Sequence, residues 1–71
     1  MNEMTADQAV TAMAVYIPED TAIDMVNTAM RPGIDVPVVT CSPAGGEVSV
    51  RHTSRDGWTV ILPGAAHVST A

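Results

Sequence analysis

The sequence predicts an α+β domain in which two N-terminal helices pack on a three-stranded antiparallel β-meander. Three observations carry this. The composition changes at Arg31-Pro32-Gly33, from an Ala- and Met-rich half to one rich in Val, Thr, Ser and Gly. Before that point apolar residues recur at helical spacing. After it they alternate, and two glycine-containing turns fall where the alternation needs them. The chain reads as a single domain, with a helical half over about 5–31, a meander over about 35–63 and a short tail over 64–71.

The first helix is expected over 6–16. Thr5-Ala6-Asp7-Gln8 has the capping-box spacing, with Thr5 as N-cap and Gln8 three residues on. Ala6, Val10, Met13 and Ile17 then share one face, with Ala9 and Tyr16 at its margin. Val15 falls on the polar side. Pro18 disfavours helical geometry at Ile17 and ends the helix. Pro18-Glu19-Asp20 opens the second helix, placing a proline in the first turn and carboxylates near the positive end of the dipole. Thr21 with Asp24 offers a second cap. Ala22, Ile23, Val26, Ala29 and Met30 make the apolar face. Asp20, Asp24 and Asn27 line the other, continued by Arg31, and Pro32-Gly33 stops the helix at about Met30. Val15 and Met25 sit at helix margins, where as exposed apolar groups they point to a helix-mediated homodimer.

An alternative fold is β-α-β-β-β, with residues 10–17 (VTAMAVYI) as a strand running into Pro18-Glu19-Asp20. That order resembles the strand-then-helix opening of ribbon-helix-helix DNA-binding proteins. The segment carries no basic or amide side chain to read bases and no second helix follows, so the likeness is local and assigns no family. The alanine content and the Thr5 cap favour helix.

The meander strands are expected over 36–41, 47–53 and 58–62. In the middle strand Val48, Val50 and His52 face one way, and Glu47, Ser49, Arg51 and Thr53 the other. A loop Pro43-Ala44-Gly45 pairs Val38 with Val50 and Thr40 with Val48. A loop Arg55-Asp56-Gly57, with Gly57 left-handed, pairs Val50 with Leu62 and His52 with Val60. Both choices bring the apolar residues to one face, and the buried face decides register. That face carries Val36, Val38, Val48, Val50, Trp58, Val60 and Leu62, and the helices cover it. Pro37 suits an edge strand if its nitrogen points outward. The tail is weakly patterned and either stays irregular or lies along a sheet edge.

The charge balance restricts the function. Lysine is absent, and Arg31, Arg51 and Arg55 face eight carboxylates, giving a formal net charge of −5. Direct nucleic-acid binding needs more cations than this, and an anionic membrane would repel the chain. A basic protein surface would attract it. No segment reaches the ~18–20 apolar residues of a membrane span. The N-terminus lacks a signal-peptide pattern, so a cytoplasmic location is expected. A chain of 71 residues buries only ~60–65% of its unfolded surface, so its core is marginal. The lone Cys41 can form no internal disulfide. His52 and His67 with one cysteine do not make a structural zinc site, and no metal or cofactor is expected.

Catalysis finds little support. Gly45-Gly46 supplies turn geometry rather than a phosphate cradle. A Cys41–His52 nucleophile pair fails because the two fall on opposite sheet faces. His52 is expected to be partly buried and hydrogen-bonded, with a pH-responsive contact as the alternative. His67 lies in the tail. Two partner-binding surfaces remain. One is the acidic side of the second helix: Glu19, Asp20, Asp24 and Asn27. The other is the open sheet face: Val39, Cys41 and Ile61 flanking Ser49 and Arg51, with no continuous apolar patch. The expected function is a non-catalytic accessory or inhibitory protein that occupies a surface of a larger one. Small acidic proteins of phages and mobile elements, including inhibitors of CRISPR complexes, are similar in size and charge. The second expectation is a homodimeric regulatory or structural module of a bacterial or phage two-protein system.

Overall fold

The computed structural model describes residues 4–65 and 67–69, of which 65 and 67–69 are described by their backbone. Two helices, α1 (Ala6–Met13) and α2 (Glu19–Ala29), precede four strands: β1 (Val38–Cys41), β2 (Glu47–Thr53), β3 (Gly57–Ile61) and β4 (His67–Ser69). The strands form one antiparallel sheet in the order β1-β2-β3-β4. The helices lie together on one face, α1 over β3 and α2 over β1 and β2. The α+β architecture of two helices on a meander is therefore present, and the tail adds a fourth strand to it. Because residues 10–13 lie in α1, the fold that starts with a strand is ruled out.

The capping box fixes the start of α1. Thr5 Oγ1 accepts from the Gln8 backbone N–H at 3.1 Å, and Gln8 Oε1 accepts from the Thr5 N–H at 2.9 Å. The helix closes at Met13, a turn before the expected end at Tyr16. The N–H groups of Tyr16 and Ile17 both donate to the Met13 carbonyl, at 2.9 and 3.1 Å. That tightened turn redirects the chain ahead of Pro18, which bars helical geometry at Ile17. Ile17 is nevertheless buried. Ala9, assigned to a margin by periodicity, is fully buried beside Met13, whereas Ala6 and Val10 are half-buried.

Pro18 is the N-cap of α2. Its carbonyl accepts from Ala22, and its backbone is extended (φ −58°, ψ 144°). Thr21 thus lies inside the helix and caps nothing. The buried face of α2 is Ala22, Met25, Val26 and Ala29. Met25 is 5% exposed, whereas Ile23 and Met30 are 40% and 49% exposed. The face is rotated from the expected one because Ala22 and Ala29 set its centre. Small residues let the helix approach the sheet closely, and the flexible Met25 fills the space beside them. Met25 is therefore not an exposed apolar group, and the helix-mediated dimer loses that support.

The first hairpin has the expected register, Val38 with Val50 and Thr40 with Val48. Gly45 donates to the Ser42 carbonyl, and Ser42 donates to Gly46, each at 2.9 Å. The first bond closes a β-turn over residues 42–45, and Gly45 and Gly46 both take positive φ, 100° and 88°, where the chain re-enters β2. The second hairpin is shifted by two residues from expectation: Val50 pairs with Val60 and His52 with Trp58. Gly57 is left-handed as expected (φ 73°), but it opens β3 opposite Thr53 instead of ending the loop. A two-residue shift preserves which face each side chain points to, so the buried set is unchanged.

Val48, Val50, Trp58, Val60 and Leu62 are buried under the helices and Val38 is half-buried. Val36 is an exception. The first strand starts at Val38, and Val36 is 61% exposed on the approach to it. Ser42 ties the layers together. Its buried Oγ donates to the Tyr16 carbonyl at 3.0 Å and accepts from the Ala44 N–H at 3.2 Å.

Candidate functional site

Glu19, Asp20, Asp24 and Asn27 of α2 are all exposed. The 3.6-residue repeat turns Asp20, Asp24 and Asn27 outward once Ala22, Val26 and Ala29 face inward, and leaves Glu19 at the flank. On the wheel Ile23 lies between Met30 and Asn27, and Met30 lies two turns further along the same edge. Ile23 and Met30 therefore line one border of the outward side, with Glu19 at their flank, and Asp20 and Asp24 lie toward the other. Arg31, also exposed, closes the strip at its C-terminal end. Among the described residues no cation pairs with Glu19, Asp20 or Asp24. Glu19 and Asp20 occupy the first turn, where the helix dipole favours negative charge.

The open sheet face has a different chemistry. Val39, Ser49 and Ile61 stand in one row across β1, β2 and β3, since Val39 and Ile61 both pair with Ser49. Val39 and Ile61 are 52% and 46% exposed. The row is broken by a single small hydroxyl residue, so the apolar groups lie closer than the sequence implied. Arg51 stands in the next row, beside Thr59, and reaches Asp56 at 3.7 Å. A shallow hollow of about 250 Å³ is lined by Pro37, Ser49, Arg51, Thr59 and Ile61.

Cys41 is exposed on this open face. His52 stands on the helix-covered face, its ring centroid 4.5 Å from that of its strand partner Trp58, tilted by 46°. The sheet thus separates the thiol from the imidazole. His52 is half-buried as expected, but the ring contact with Trp58 takes the place of the expected hydrogen bond; among the described residues it makes none. It borders a polar hollow of about 380 Å³ between residues 30–35 and 52–54. The side chain of His67 lies outside the described residues.

Among the described residues no three His, Cys, Asp or Glu side chains gather as metal ligands. Among them, too, no helix is long and apolar enough to cross a membrane.

The periodicity of the sequence located the acidic side of α2. It does not reveal the apolar border beside it, because periodicity alone places Ile23 and Met30 on the core face. The better signal was the spacing of the alanines: Ala22 and Ala29, seven residues apart, mark the line of closest approach to the sheet. Comparisons with protein-family models, with curated proteins and with solved structures found no match for this chain.

Proposed function

We propose that the chain is a non-catalytic protein-binding module that uses the outward side of α2 to occupy a basic surface of a larger protein. The observation that carries this reading is the coexistence of Ile23 and Met30, both substantially exposed, with Glu19, Asp20, Asp24 and Asn27 on one helix side. Apolar anchors beside a polar border are the usual make-up of an interface, with burial supplying affinity and charge supplying partner choice. The net charge of −5 adds long-range attraction to a partner rich in Arg and Lys. A nucleic-acid-binding assembly presents such a surface, and carboxylates spaced along a helix imitate the phosphates of the nucleic acid it binds. A small accessory or inhibitory protein of a phage or mobile element, such as an inhibitor of a CRISPR complex, fits this description.

The test is affinity capture from a bacterial lysate with three chains in parallel: wild type, Asp20→Asn with Asp24→Asn, and Ile23→Ala. The reading expects one specific partner with the wild type. It expects recovery to fall about tenfold or more in either variant, which is the loss of ~1.4 kcal/mol. It also expects recovery to fall as salt is raised. Undiminished recovery in both variants would show that α2 presents a solvated face and nothing more.

A further inference from the structure

The free edge of β1 is self-complementary. The Ser42 N–H donates to Gly46, so the main chain of Ser42 faces β2. Bonded and non-bonded pairs alternate along an antiparallel ladder. Thr40 and Val38 therefore also face β2, and the N–H and C=O groups of Val39 and Cys41 point away from it. β1 is the outermost strand, so these groups have no strand beside them among the described residues. Pro37 agrees with this parity: its nitrogen lies on the outward side, where the ladder needs no donor.

Natural sheets blunt such edges with lysine, inward charges, bulges, prolines or short strand length. This edge, Val38-Val39-Thr40-Cys41, carries no charge, and the chain holds no lysine. It is limited instead by Pro37 and Pro43, three residues either side of Thr40.

We propose that β1 pairs antiparallel with β1 of a second copy of this chain, about a two-fold axis through Thr40. This axis sets Val39 opposite Cys41 of the second copy, and Cys41 opposite its Val39. Each of these is a doubly bonded pair, so the four outward N–H groups of the two strands find the four outward carbonyls of Val39 and Cys41. Beyond these pairs lie Pro37, just before β1, and Pro43, where the chain turns away toward β2. Neither has an N–H to leave unbonded, so pairing stops at both ends without stranding a donor. A heterologous strand has no reason to carry prolines at this spacing, whereas a second copy does so by symmetry. On the helix side Thr40 meets its own counterpart, a favourable cross-strand pair. On the open side Val39 gains Cys41 of the second copy as a neighbour, extending the row that runs through Ser49 to Ile61. The result is a continuous eight-stranded sheet that leaves the acidic side of α2 out of the pairing. The interface is small, and it exchanges with monomer at micromolar to millimolar concentration.

Sedimentation equilibrium from about 10 μM to about 1 mM should show a reversible monomer–dimer equilibrium in the wild type. Val39→Pro removes an outward donor and no ladder bond. It should be monomeric over the same range, with an unchanged far-UV circular dichroism spectrum. Disulfide trapping checks the register. Under mild oxidant Val39→Cys should give a covalent dimer through Cys41 of the second copy. Val39→Cys with Cys41→Ser should not, because two residues at position 39 lie too far apart across this axis. A wild type monomeric throughout, without trapping in Val39→Cys, overturns the proposal and leaves the edge to another protein's strand. A dimer that persists in Val39→Pro overturns it in favour of another face. The Asp20/Asp24 and Ile23 variants should dimerise like wild type, so this test is independent of the α2 reading.

Discussion

At the scale of single residues, Ser42 joins segments that are 26 positions apart in the chain. Its hydroxyl satisfies the Tyr16 carbonyl, which the end of α1 leaves without a helical partner, and at the same time holds the turn through Ala44. Removing the hydroxyl leaves both groups without this partner in a part-buried place, at a cost of about 1 kcal/mol. Ser42→Ala should therefore lower the urea midpoint of unfolding with little change in the slope of the transition. An unchanged midpoint would mean that water replaces the hydroxyl. Gly46, beside it, is constrained in another way. It has φ 88°, and a Cβ there would sit 2.8 Å from Cβ of Pro63. None of this was legible in the sequence, because a serine after a strand reads as an ordinary turn residue and no local pattern announces a bond to position 16.

At the scale of elements, legibility followed the range of the interactions that fix each one. The capping box of α1 is set within four residues and was readable in full. So was the first hairpin, where proline first and glycine last admit one turn. The second hairpin kept its faces but not its register, since Gly57 can be left-handed either as the last loop residue or as the first strand residue. The buried side of α2 was misjudged by hydropathy, which ranks Ile23 above Met25; packing against the sheet reverses that order. Strand β4 is short, follows a run of small residues and owes its place to the open edge of β3, a long-range cause. The eight-residue α1 is too short to be stable alone, and its cap contributes a large share of its local stability. Thr5→Ala should destabilise the fold by about 1 kcal/mol. Thr5→Ser should recover most of that loss. Equal stability of the two variants in thermal unfolding would remove the hydroxyl's role as cap.

At the scale of the whole molecule, both helices and the sheet share one apolar core. Met13, fully buried, belongs to it, as do Val48, Val50 and Val60 from the sheet. A chain of this length has a total stability of roughly 4–10 kcal/mol, and Met13→Ala should remove about 2–5 kcal/mol of it. With one core, helix and sheet should also be lost together. Circular dichroism at helical wavelengths and the fluorescence of Trp58, the chain's single tryptophan, should give coincident urea transitions in wild type. Separate transitions would show that the sheet stands without its helices.

The order of the sheet also bears on how the fold is reached. Strands β1, β2, β3 and β4 lie side by side in the order in which they occur along the chain, joined by the segments 42–46, 54–56 and 62–66. No strand has to be inserted between two that have already paired. Each new pairing closes a short loop, and the entropy of closure is small for each. The sheet can grow outward from whichever hairpin forms first, and the long reach from Ser42 to Tyr16 is left to the docking of the helices. Such a path keeps contacts local, which places this chain among the faster-folding of sheet-containing domains.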